Sequence, residues 1–305
     1  MMRFILHRLA WLAITMWIVF TVTFALIRAA PGGPFDSEKP VSPEAKRTLE
    51  RRYNMDQPIP VQYWRELTRL ARGDLGYPMK MGDYPVAEIV REGFPISAAL
   101  GVLALTFALT FGLLTGVVSA AYRGTAADVL LRLAATVGIA LPNFVIAGVG
   151  ILLFVFWIPL FPAAGWGSWR QLVLPAFCLG APFAAEIARI ARTSLLDALS
   201  NDYIRTARAK GAGERRVLLV HGLRNALLPV VSYLGPAAAG VLTGSLVVEK
   251  IFALPGMGVY FVMAAELRDF TVLMGIVMVD TFVLCLMNLL VDVSYAWLDP
   301  RVKLE

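Results

Sequence analysis

Cysteine and histidine are nearly absent, with two of each in 305 residues. Cys178 and Cys285 stand alone in apolar runs, which excludes a disulfide framework and any cysteine-based metal spacing. His7 and His221 lie far apart, so the sequence offers no histidine-based catalytic or zinc site. Charge is also scarce, at 16% of residues, where soluble chains carry about 25%. No G-x-x-x-x-G-K-[ST] stretch occurs, so the chain has no phosphate loop of its own. What is abundant is apolar surface: 58% of residues are hydrophobic and the mean hydropathy is +0.67. That excess is too large for one core and runs opposite to the bias of disordered chains. The composition is that of an integral membrane protein.

A spanning helix needs about 20 mostly apolar residues. The first such run, Leu9 to Ile27, is 19 residues long between Arg8 and Arg28. It resembles a signal peptide in its basic start. Its bulky residues and the poor cleavage site at Ala29-Ala30-Pro31 make it a retained helix. Further runs cover 93–122 and 133–158, the latter closed by Pro159, Pro162 and the glycines at 165 and 167. Another covers 171–185 and extends past Glu186 on a protein-facing side, and two more cover 225–248 and 270–291. Six spans result.

The net charge of +6 follows from orientation and gives no reason to invoke nucleic acid. With both termini in the cytoplasm, the segments 1–8, 123–132, 186–224 and 299–305 hold 14 of the 28 basic residues. The short outer loops hold only Arg170, Lys250 and Arg268. The first outer loop, 28–92, is too long for the rule to count. It predicts a helix opened by Pro43, a turn at Asp56-Gln57-Pro58, and a second helix from Val61 to Ala71. That loop reads equally as a solvated cap or as a docking surface.

The most informative stretch is 203–229, YIRTARAKGAGERRVLLVHGLRNALLP. A helix carrying Arg205, Thr206, Ala207, Ala209 and Lys210 meets a corner at Gly211 and Gly213. The spacing predicts a short amphipathic helix from Glu214, with Leu218, Leu219 and Leu223 on one face and Arg215, Arg216 and Arg224 around it. A charged loop that merely sets topology would explain the arginines. It would not explain paired glycines and a leucine face, which suit a partner's groove.

These residues resemble the coupling loop of bacterial ABC importer permeases, in the dipeptide and oligopeptide group. Arg205-Thr206-Ala207 stands where the wider superfamily has Glu-Ala-Ala, and Leu223-Arg224 where it has Leu-Pro. The RTARAKG form ending at Gly211 and the RNALLP ending at Pro229 are those of the peptide group. The resemblance covers nearly the whole chain. It includes the PGGPF at 31–35, Asp56-Gln57-Pro58, Gly73-Asp74-Leu75-Gly76 and Asp83 to Val86. It continues with Glu249-Lys250-Ile251-Phe252, the stretch Leu254 to Gly258, Asn288 to Asp292, Tyr295 and Asp299-Pro300-Arg301. It is greatest to the first, B-type membrane subunit of oligopeptide permeases.

That resemblance implies an all-α integral membrane protein with six transmembrane helices, the type I ABC importer permease fold. It implies an N-terminal transmembrane helix plus long periplasmic loop over 1–95, and a five-helix permease core over 96–305 with the coupling loop at 203–224. The implied partners are a second related permease subunit, two ATP-binding subunits, an extracytoplasmic peptide-binding protein and the lipid bilayer. No cofactor is expected on this chain, ATP and magnesium being held by the partner ATPases, and no catalytic or metal-binding residue is expected. The stretch Leu254, Pro255, Gly256 and Gly258 suits a tight outer turn, and the resemblance suggests that it dips toward the pathway. Asp280, an acid inside the last apolar run, costs about 2.5–3.5 kcal/mol to insert, so it must face protein or water. It either lines a pathway or pairs with a neighbouring helix. Asp292, nearer the membrane edge, reads as structural. A carrier driven by an ion gradient is the main rival, with Asp280 as its ion site. Such carriers usually show chains of intramembrane ionisable groups, and only one lies here.

Overall fold

The computed structural model describes residues 2–30, 32–35 and 42–298. The side chains of Asp292 and Tyr295, and the segment with Asp299 to Arg301, lie outside the described residues. Every regular element among the described residues is helical. The elements are α1 (Met2–Ala29), α2 (Pro43–Arg52), α3 (Ile59–Ala71), α4 (Val86–Ala121), α5 (Ala126–Ala140) and α6 (Asn143–Ile151). They continue as α7 (Arg170–Leu199), α8 (Asp202–Ala209), α9 (Glu214–Arg216), α10 (Leu223–Ile251), α11 (Met257–Leu267) and α12 (Phe270–Leu298). Wide turns with π-type hydrogen bonding extend α6 through Leu152–Trp157 and join α9 to α10 through Val217–Gly222.

Among the described residues, five helical segments are long and apolar enough to cross a membrane, in α1, α4, α7, α9–α10 and α12. A sixth crossing needs α5 and α6 together, and these bend by 112° at their break. The run at 133–158 is therefore not one helix. It starts earlier, at Ala126, because Thr125 accepts the Asp128 N–H as an N-cap. It breaks at Leu141-Pro142, where proline lacks a donor and holds the preceding residue extended. The run at 171–185 does continue past Glu186, as α7 to Leu199. Its small residues Gly180, Ala184, Ala188 and Ala191 are buried.

The chain forms two units: residues 1–96 with 255–285, and residues 97–254 with the end of α12. In the first unit, α3 lays Tyr63, Leu67 and Leu70 on Phe20 and Phe24 of α1 and Met274 and Met278 of α12. Gln62, 8% exposed, donates to the carbonyls of Met55 and Gln57 and so pins the α2–α3 turn. A second cluster joins Val86 and Ile89 of α4 to Met257, Ala264, Val272 and Ile276. Asp269 ties this cluster to the loop before α4 by accepting the N–H groups of Lys80 and Met81 at 2.7 and 3.2 Å.

The second unit is built on contact between α4 and α7 close enough to require glycine. A β-carbon on Gly112 or Gly116 would stand 2.7 or 2.6 Å from the carbonyls of Ala184 or Ala188. One on Gly180 would stand 2.5 Å from the Ala104 carbonyl. The small-residue spacing at 112–116 thus serves packing. Pro229 and Pro236 lie within a continuous α10. Large apolar side chains such as Trp11, Trp17, Leu26, Val102 and Leu114 remain exposed along the spans, as suits helices that cross a bilayer.

Candidate functional site

The 202–222 segment joins α7 to α10. Helix α8 stops at Ala209 because Gly211 takes φ +80°, a left-handed conformation that suits glycine. The Ala212 N–H then donates to the Ala207 carbonyl at 3.1 Å and the Gly211 N–H to the Arg208 carbonyl at 2.9 Å. This pair of bonds caps the helix and turns the chain. Gly213 is extended and opens α9.

Across that corner Arg208 grips Glu214 with two donors, Nε at 2.7 Å and Nη2 at 3.1 Å. The Glu214 carboxylate holds the Arg208 guanidinium above its usual pKa. Ile204, fully buried, anchors α8. The Tyr203 hydroxyl accepts from Asn225 Nδ2 at 2.9 Å and donates to the His221 carbonyl at 3.4 Å, which ties α8 to the start of α10. The corner is thus an exposed, internally braced knob.

The residues picked out in the sequence fall on it as follows. Arg205 is exposed beside Asp202, and the Thr206 hydroxyl donates to the Asp202 carbonyl. Ala209, Lys210, Gly211, Arg215 and Arg216 are exposed, while Ala207 is half-buried. The piece after Glu214 is not a separate amphipathic helix. One α turn passes into the wide turn at Val217–Gly222 and directly into α10. The wide turn breaks the 3.6-residue spacing, so the leucines do not share a face. Leu218 packs on Ala120, Leu195 and Ala226, whereas Leu219 and Val220 point outward, 54% and 55% exposed. Leu223 is half-buried. Gly222 allows close approach, because a β-carbon there would stand 2.8 Å from Leu195 Cδ1.

The 254–258 stretch begins with a tight turn: Ala253 takes φ +49° and the Leu254 N–H donates to the Glu249 carbonyl. Leu254, Gly256 and Gly258 are buried and Pro255 is exposed, with Gly256 capping α11. Asp280 lies in α12, half-buried.

One polar cluster escaped the sequence reading. Asp128, at the start of α5, accepts Arg192 Nε at 2.9 Å and Nη2 at 3.0 Å. It also accepts the Ser119 hydroxyl at 2.6 Å and the Gly124 N–H at 3.0 Å. Arg132 adds a longer ion pair at 3.4 Å. One carboxylate so clamps α4, α5 and α7 together. Its one local signal was a lone acid two residues past Ala126, in a segment otherwise counted only for its basic charge.

A family described as "Binding-protein-dependent transport system inner membrane component" matches residues 91–304, and its N-terminal companion matches 1–88. The oligopeptide transport system permease protein of Haemophilus influenzae is 38% identical, covering 99% of this chain and 100% of that protein. The dipeptide transport system permease protein of Bacillus subtilis is 40% identical, covering 100% and 99%. The oligopeptide permease protein of Escherichia coli strain K12 is 39% identical, covering 99% and 100%.

Proposed function

The chain belongs to the binding-protein-dependent transport system inner membrane components, and from that premise we propose that it imports peptides as one of two related permease subunits. It is a multi-pass protein of the inner membrane. Two partner ATPases bind and hydrolyse Mg-ATP, and an extracytoplasmic binding protein delivers the peptide. The termini and the 202–222 knob lie in the cytoplasm, where the basic residues gather.

The observation that carries this reading is the knob. It stands between two spanning helices, exposes Arg205, Arg215, Arg216, Leu219 and Val220, and is braced by Arg208–Glu214 and Tyr203–Asn225. A rigid lever suits an ATPase groove, because a push on it passes to α7 and α10 without being absorbed at the corner. Closure of the ATPases would tilt those helices and gate the pathway by rigid-body motion. Asp280 and the turn at 254–258, buried except at Pro255, are the candidates for contact with the pathway or with the delivering protein.

Reconstitution with the sister permease, the ATPases and the binding protein tests this. Peptide uptake and peptide-stimulated ATP hydrolysis should both require this chain. Uptake that persists without it overturns the proposal.

A further inference from the structure

In the first unit a cavity of about 270 Å³ opens among α1, the α2–α3 pair and the start of α12. Part of its lining is apolar and comes from spanning helices: Phe24 and Ile27 of α1, Phe270 and Met274 of α12. The other part is strongly basic. Arg28, Arg52, Arg65 and Arg69 face it, against the two carboxylates of Glu66 and Asp74.

Those carboxylates leave much of the basic charge unanswered. Asp74 accepts the Gly76 N–H of its own turn at 2.8 Å. Glu66 pairs with Arg69 through Nη2, and Arg65 Nη1 donates to Asn54 at 2.7 Å. Arg28 Nε and Arg69 Nε are buried and have no acceptor among the described residues. A buried donor without an acceptor is costly, and both belong to arginines that line one cavity, where an oxyanion would supply the missing negative charge. Arg28 also lies 5.3 Å over the Phe24 ring, which holds its guanidinium where apolar and basic linings meet.

The surroundings identify the source of that anion. Helix α3 buries one face against α1, and the Tyr63 hydroxyl shares a 2.8 Å hydrogen bond with Thr21 of the spanning segment Leu6–Ala29. The α3 helix therefore runs beside the span. Yet Val61 and Trp64, on another face of α3, are exposed, Trp64 by 62%. A tryptophan-bearing apolar face beside a span, adjoining arginines, is the pattern of a membrane–water interface.

We propose that this cavity holds the phosphate of an anionic phospholipid among Arg28, Arg65 and Arg69, with the acyl chains along α1 and the exposed face of α3. The bound lipid completes the packing of the first unit. Inorganic phosphate shares the chemistry, so the test separates the two sources.

The full chain, purified with its partner subunits and placed in phosphatidylcholine nanodiscs, is titrated with phosphatidylglycerol. Retained lipid is counted by native mass spectrometry. Phosphatidylglycerol should be kept at least about tenfold over phosphatidylcholine. The double variant Arg28→Gln, Arg69→Gln should lose about tenfold, and Arg72→Gln, on the exposed end of the same helix, should lose nothing. Glu66→Gln removes the competing carboxylate and should raise retention about threefold, a gain that misfolding cannot produce. Equal retention of both lipids, or no change in the double variant, overturns the proposal. So does protection from thermal unfolding by inorganic phosphate without any phosphatidylglycerol preference. Should the double variant fail to assemble, Glu66→Gln decides: unchanged or reduced retention overturns the site.

Discussion

Two arginine–carboxylate forks in the same unit have nearly the same geometry and opposite weight. Arg192 meets Asp128 through Nε at 2.9 Å and Nη2 at 3.0 Å, and Arg208 meets Glu214 through the same two atoms at 2.7 and 3.1 Å. The Asp128 side chain is 1% exposed and Arg192 19%, whereas Arg208 and Glu214 are 44% and 74% exposed. Water replaces the exposed pair at little cost, and it hardly reaches the Asp128 carboxylate of the other. The difference separates two jobs. The buried fork holds three helices in one arrangement. The exposed fork sets only the direction in which a small knob points.

The largest effect should come from removing the buried acceptor. Asp128→Ala leaves the Arg192 guanidinium without its partner and should lower Tm by on the order of 10 °C in a detergent unfolding scan. An unchanged Tm would erase the distinction between the forks.

Next comes an attack on the same clamp from a distance. Gly180→Val forces α4 and α7 apart where backbone and β-carbon would stand 2.5 Å apart. It should cost about 1–3 kcal/mol and open the Asp128 cluster to proteolysis at the α4–α5 loop. Stability like that of the parent protein would show that the helices can separate without loss.

At the knob, Gly211→Leu should cost about 1–2 kcal/mol locally, from its left-handed backbone alone, since no neighbour crowds a β-carbon there. Insertion should survive, while peptide uptake falls relative to ATP hydrolysis. Gly211→Asn, which tolerates that conformation, should retain coupling; equal loss in both variants would argue against the corner geometry.

Arg208→Ala should have the smallest effect. Its Tm should stay within about 1 °C of the parent, with peptide stimulation of ATPase activity weakened by about threefold at most. A large drop in Tm would show that the exposed fork also supports the fold.

Much of this was legible locally. Pro43, Gln57-Pro58 and Gly211 punctuate the chain where helices begin or end, because each constrains its own backbone. Gly112 and Gly116 stand four residues apart on α4, a local spacing that brings both against α7. Pro142 stands at the 112° break, but whether a proline kinks a helix or divides it depends on what receives the severed ends, which the local sequence does not carry. The leucine face at 218–223 failed because it assumed α spacing through a wide turn. Asp128 could not be matched to Arg192, 64 residues away, by any local rule.

Hydropathy and backbone preference are properties of short stretches, so the sequence by itself determined membrane residence, the run of apolar segments, the glycine corner and the family. Which arginine meets which carboxylate is not such a property. Arg192, Arg208 and Arg28 look alike in the chain; burial beside Asp128, exposure beside Glu214, and a place on an apolar-and-basic cavity were decided only by tertiary structure. The physical reason is that a charge takes its worth from its partners and from its access to water, and both are fixed only when distant segments come together.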